Sequence, residues 1–391
     1  MPQIAGFRGL VWDSAKVELG KLATAPITSF AAQQTSGALV RDATRAVYAY
    51  HQTFALGGRT VTRKSLLAAV RLSPWTERSI RPHEVTDDSE RARELAAITT
   101  NGGHGAPVLL GYRDASGEVD RALRSFGDGA AIAKLTTADG VEHKLVRIRS
   151  AELIGKLRPL FAPKTLHVLD GHARYEAMLA YAQTLGPDRL PQYASAHYGL
   201  GCLVQLDDQA LLVAARHRIV RELAIGKPAV LEAARRYFIV EPIAGAASDV
   251  GRLQSALAET VAHQPAFVAL FAGDRDAYKL TLSPDVLPTS EGVAVHRAVQ
   301  KYDAVVLEHL LFGRVLAGQS APAWDSTIDA TYVVAAVGGG TPLGIVTRPM
   351  TLDQITHADE VGALLPAHTT AFPPTIAHCV AFVVDPNEDL V

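Results

Sequence analysis

The sequence predicts a mixed α/β (α+β) protein of two domains, and three observations carry that expectation. Strand-like apolar runs alternate with segments of helical spacing along the whole chain. At 391 residues the chain exceeds what one hydrophobic core usually organises. Residues 166–181, LHVLDGHARYEAMLAY, pass from a buried strand pattern through a tight polar turn into an amphipathic helix.

The elements follow in order. Residues 45–72 read as a β-hairpin around Gly57-Gly58, where glycine supplies the positive φ of a tight turn. A polar loop over 79–88 leads to a helix over 89–99 with Asp87 and Glu90 as its capping pair. A short buried strand over 107–112, a further helix and a hairpin around Asp139-Gly140 come next, then a helix over 150–161 and the 166–181 stretch. Strands over 199–206 and 210–215, separated by Asp207-Asp208, close a first domain over 1–220. A second α/β domain over 221–391 begins with helices over 219–224 and 229–237. Strands over 267–271 and 278–282, helices near 292–313, and strands near 331–337, 343–347 and 376–384 complete it.

Composition narrows the function. Hydrophobic residues make up 48% and charged residues 20%, an ordered globular composition. With 38 basic against 40 acidic residues the formal charge is −2, so no overall field recruits nucleic acid or an anionic membrane, and neither is an expected partner. Cys202 and Cys379 lie far apart in apolar runs and form no CxxC, which marks them as core residues and counts against a thiolate zinc site. The first residues lack a signal-peptide pattern, and no uncharged apolar stretch approaches about 18 residues, so the expected location is cytoplasmic.

Asp170-Gly171-His172-Ala173-Arg174 admits two readings. In one, Asp170 caps a helix, Gly171 permits the turn, and His172 and Arg174 are solvated. In the other, the first-turn N–H groups and the positive helix end hold a phosphate, with His172 and Arg174 as cationic donors and Asp170 as a base or metal ligand. Arg174 favours the second, because a cation at a helix N-terminus opposes the dipole by about 0.3–1 kcal/mol unless an anion sits there. His83-Glu84-Val85-Thr86 is either a loop entering a capped helix, or a place where Glu84 takes a hydroxyl proton and His83 donates to an anion. It is not the HExxH zinc pattern, since position 87 is Asp. Arg216-His217-Arg218 is an exposed strand end or added positive charge at the phosphate site, and Asn101 flanks the 107–112 strand. The absence of GxxxxGK[ST], of a third glycine after Gly199-Leu200-Gly201, and of GxSxG counts against Walker, dinucleotide and nucleophile-elbow chemistry.

In this order the pieces resemble domain-of-unknown-function family 1015, with its KHExT loop, its Asn before a strand ending in Tyr, its DGHHR junction, its Thr-His-Arg segment and its C-terminal PxKSTYFYPK-like stretch. The matching residues are Arg81 to Thr86, Asn101 with Pro107 to Tyr112, Asp170 to Glu176, Arg216-His217-Arg218, and Pro366 to Thr375. The resemblance implies a relation to free serine kinases and, more remotely, a ParB/sulfiredoxin-like N-terminal half.

It therefore implies a phosphotransferase that moves a phosphoryl group from ATP, ADP or pyrophosphate, with Mg²⁺, to a hydroxyl of a small serine-like substrate. Gly171, His172 and Arg174 would cradle the donor phosphates. Asp170 would organise Mg²⁺ or the acceptor, and Glu84 would take the proton. His83, Thr86, Asn101, His217 and Arg218 would line the binding site. The family pattern also departs here: Ala173 stands for the second histidine, residues 23–28 reduce an Ala-Pro-Pro-Tyr-Asp-like element, and His368, Ala371 and Thr375 stand where Lys, Tyr and Lys are usual. Losing one charge-stabilising donor costs on the order of 10² to 10³ in rate, so a catalytically degenerate nucleotide- or phosphometabolite-binding regulator is the alternative. Oligomerisation is left open.

Overall fold

The computed structural model describes residues 3–22, 24–124, 129–261, 264–286, 295–317 and 323–391. Two units emerge, neither contiguous in sequence. One comprises Met1–Pro82, Thr86–Leu212 and Phe372–Val391; the other comprises His83–Val85 and Val213–Ala371. A linear division near residue 220 contains neither the His83–Val85 exchange nor the return of the C-terminal segment, because both depend on long-range pairing.

The first unit is built on a sheet whose described strands run Ile80–Arg81, Leu166–Asp170, Val108–Tyr112, Tyr198–Gln205, Arg59–Arg71, Val47–Leu56, Glu142–Ile148 and Ala131–Thr136, with Ile4–Ala5 also paired to Arg59–Arg71. The long hairpin turns at Gly57 and Gly58, both at positive φ, as a two-residue turn of this hand requires. Leu166–Asp170 is parallel to Ile80–Arg81 and antiparallel to Val108–Tyr112, so the strand leading into the DGHAR turn is paired on both sides. A smaller sheet joins Leu39–Arg41, Leu10–Trp12, Val380–Val383 and Gly103–His104. Arg63 is fully buried and donates to the Gln52 side chain and to the carbonyls of Phe372, Pro373 and Pro374, which ties the C-terminal segment to the hairpin.

The second unit holds an antiparallel sheet in the order Phe238–Ile243, Ala277–Leu282, Ala266–Phe271, Leu343–Val346, His217–Val220 and Trp324–Thr327. One side is packed by Val230, Phe267, Phe312 and Leu343, the other by Leu253, Val268, Val333 and Val337. The whole is mixed α/β, as expected.

Several element assignments change. Residues 331–337 belong to the helix Ala330–Gly338: Asp329 caps it at the Thr331 amide, and Ala330, Val333 and Val337 are buried at helical spacing, which outweighs the β-preference of its valines. Residues 219–224 are not helical, because Ile219 and Val220 pair on both sides within His217–Val220. Residues 210–215 form no strand: Asp208 turns the chain by accepting from the Ala210 amide, and Ala214 makes one isolated bridge to Ala371. Of 292–313, residues 292–294 lie outside the described residues. The helix is confined to Asp303–Val306 and a π-helical continuation, Leu307–Val315. The strand near 376–384 is Val380–Val383, in the first unit. Cys202 and Cys379 are buried and unbridged.

Candidate functional site

In the first unit the buried strand Leu166–Asp170 ends with Asp170 exposed, and Gly171 at φ 91 turns the chain into the helix His172–Thr184. A Cβ at Gly171 would lie 3.2 Å from Arg174 Nη1, and its backbone angle is one that L side chains rarely adopt. As cap residue, Gly171 offers no side-chain acceptor to the first-turn amides. The helices Asp88–Asn101, Ala151–Phe161, Val250–Ala258, Ala330–Gly338 and Leu352–Glu360 are each capped by an Asp, Ser or Thr side chain. The junction thus presents the positive end of a helix dipole beside an exposed carboxylate.

The cations expected there are placed differently. His172 is buried. Arg174 is half-buried and holds Glu94 through Nε at 3.3 Å and Nη2 at 3.0 Å, while Nη1 donates to the Pro107 carbonyl at 2.8 Å. The anion that offsets its charge near the helix start is therefore Glu94, which the sequence reading missed because nothing local links positions 94 and 174. Ala173 is buried and fills the second-histidine position with a methyl group. Tyr175 braces the same turn: its hydroxyl joins the Ser73 backbone, and its ring stacks on Trp75 with centroids 4.4 Å apart. Asn101 is structural here, accepting from the Phe30 amide and donating to Ala97. Thr86 is half-buried in the loop before Asp88–Asn101. Ala23 of the reduced 23–28 element lies outside the described residues.

The second unit gathers a separate cluster. Its short segment His83–Val85 pairs with Leu365, the Leu365 amide donating to His83 and the Val85 amide to Leu365. Glu84 Oε1 accepts the Thr370 amide at 2.7 Å and its hydroxyl at 2.6 Å, and His83 Nε2 lies 2.9 Å from that hydroxyl. Arg216 donates to the Thr370 carbonyl and Arg218 to the His368 carbonyl. Arg218 is buried over Trp324, its guanidinium 4.1 Å from the ring centroid, and burial draws its pKa down to about 10, so it stays charged at neutral pH. His217 differs from expectation. Burial, then Arg218, pushes its pKa down to about 4, and Nδ1 accepts from the Thr347 amide, so it is a neutral acceptor rather than a rim cation. A cavity of about 640 Å³ is lined by Val85, Glu308, His309, Trp324 and Leu365, neighbours of Glu84 and Arg218. Thr370 and Trp324 carried no local signal of these roles.

Among the described residues no group of three or more His, Cys, Asp or Glu side chains forms a metal cluster. Asp170, a single exposed carboxylate beside a phosphate-favouring helix end, fits Mg²⁺, which keeps most of its waters and takes one or two carboxylates plus substrate phosphates. No described helix is long and apolar enough to cross a membrane.

Fold and motif geometry define a two-unit α/β protein with a glycine-hinged strand–helix junction. A family model, "Protein of unknown function (DUF1015)", matches residues 25–309, and the chain belongs to that family. Among solved structures, a mutant free serine kinase in complex with AMP is similar at 11% identity and a TM-score of 0.43, covering 84% of this chain and 94% of that one. Another mutant free serine kinase, in complex with ADP, matches at 10% identity, TM-score 0.43 and the same coverage. A conserved hypothetical protein from Pyrococcus furiosus matches at 11% identity and TM-score 0.41, over 82% of this chain and 95% of that chain. At these values, residue roles rest on the geometry of this chain. The comparison with curated proteins gave no match.

Proposed function

We propose that the protein is a small-molecule phosphotransferase that moves a phosphoryl group from a nucleotide or pyrophosphate to the hydroxyl of a serine-like acceptor. The observation that carries the reading is the DGHAR junction: a buried strand aimed at a helix whose glycine cap leaves its first turn without a side-chain acceptor. The backbone from Gly171 to Arg174 holds the donor phosphates, with His172 beside it. Asp170 would hold Mg²⁺, which neutralises charge on the phosphates. Glu84, oriented by Thr370, takes the acceptor proton as the new O–P bond forms and the donor O–P bond breaks.

A second reading is supported by two observations. Ala173 supplies no donor, and all three guanidinium nitrogens of Arg174 are engaged within the protein. A regulator that binds nucleotide without turnover has those properties. Incubation with serine, Mg²⁺ and ATP, ADP or pyrophosphate, followed by phosphorus NMR, separates the two. A new phosphomonoester that Glu84→Gln abolishes supports the transferase. No product with any donor, together with calorimetric nucleotide binding, replaces it with the regulator.

A further inference from the structure

Four strands of the first unit carry one continuous row of basic side chains. Their register pairs Lys64 with His51, His51 with Lys144, and Lys144 with Lys134. Directly paired residues on antiparallel strands project from the same face about 5 Å apart, so the row crosses the sheet over roughly 15 Å. Lys64 and Lys134 are exposed, and His51 and Lys144 are half-buried. All four line a cavity of about 620 Å³, while His51 and Lys64 also line one of about 390 Å³ together with Asp208 and the Arg124–Asp120 ion pair.

Solubility does not explain the row. Lys144 and Lys134 are like charges directly opposite one another, an arrangement that destabilises a sheet. Lysine on an edge strand discourages edge-to-edge pairing, but that reason reaches only Lys134 on Ala131–Thr136. Lys144, His51 and Lys64 stand on interior strands. The next row on the same face is Thr62, Thr53, Glu142 and Thr136, which adds hydroxyl donors and one carboxylate.

We propose that this row binds a linear inorganic polyphosphate. Lysine ammonium groups act as point charges that donate to phosphate oxygens in any orientation, and a polyphosphate chain supplies charge along its length with no base to house. No Phe, Tyr or Trp is among the residues lining the cavity that all four share, whereas single-stranded nucleic acid sites use aromatic platforms. With a formal charge of −2 on the whole chain, the attraction is local to this face.

The test is calorimetry on the full chain with inorganic tripolyphosphate, long-chain polyphosphate and single-stranded oligothymidylate at matched phosphate concentration, in low and physiological salt. Long-chain polyphosphate should bind most tightly. The double variant Lys64→Gln/Lys134→Gln should lose at least about tenfold in affinity and flatten the salt dependence, with a thermal midpoint no lower than that of the parent. Unchanged affinity in the double variant, tighter binding of the oligonucleotide, or no heat with polyphosphate at low salt would overturn the proposal.

Discussion

Arg174 and Glu94 form a forked ion pair between the first turn of His172–Thr184 and the middle of Asp88–Asn101, with side chains 17% and 21% exposed. The arginine at the DGHAR junction is therefore a brace before it is a ligand. It fixes the helix that carries the first-turn amides, and its third nitrogen ties that helix to the Pro107 carbonyl just before Val108–Tyr112.

Breaking one side of such a pair leaves the other charge poorly solvated. Arg174→Ala should cost about 3 kcal/mol in urea unfolding, and Glu94→Gln somewhat less. The double variant Arg174→Met/Glu94→Leu should recover more than half of that loss, because an apolar pair replaces two desolvated charges. If the junction also holds phosphate as proposed, the stable double variant should bind nucleotide at least tenfold more weakly. Undiminished binding would leave Arg174 with the brace alone.

Much of this architecture was legible in the sequence, and the reasons differ by element. The hairpin at Gly57-Gly58 and the junction at Gly171 announce themselves because a positive φ restricts residue choice. The helix Ala330–Gly338 misled, because its valines carry β-preference while the deciding facts, the Asp329 cap and a facing sheet, are matters of pairing. The order of motifs pointed to Glu84, but Thr370, its partner 286 positions away, became visible only through the fold. Glu94 and Trp324 lay beyond local patterning for the same reason.

Stability should fall on mild acidification. Burial pushes the His104 imidazole down to about 4, and His378, buried near Arg174, also to about 4. Below the ordinary histidine pKa of about 6.5 the unfolded chain takes up a proton that the folded imidazole refuses until about pH 4. The unfolded state is thus favoured progressively as pH drops through that window. Between pH 6.5 and 5 each of the two should remove roughly 1.5 kcal/mol, and urea midpoints over this range measure the slope. His104→Leu should reduce the slope by about one proton; an unchanged slope would assign the acid lability elsewhere.

The Glu84–Thr370 contact makes a separate claim about positioning. Two donors from one residue converge on Oε1 and fix the carboxylate plane, while His83 sits against the same hydroxyl. Thr370→Val keeps the amide donor and the side-chain volume but deletes the hydroxyl, at about 1–2 kcal/mol in stability. In the phosphoryl-transfer assay, kcat should fall about tenfold with the donor KM unchanged, against a fall of about 10² to 10³ for Glu84→Gln. Thr370→Ser restores the hydroxyl and should restore kcat, which a purely packing role for the threonine methyl would not do. Full activity in Thr370→Val beside an inactive Glu84→Gln would show that the base is oriented by something other than this threonine.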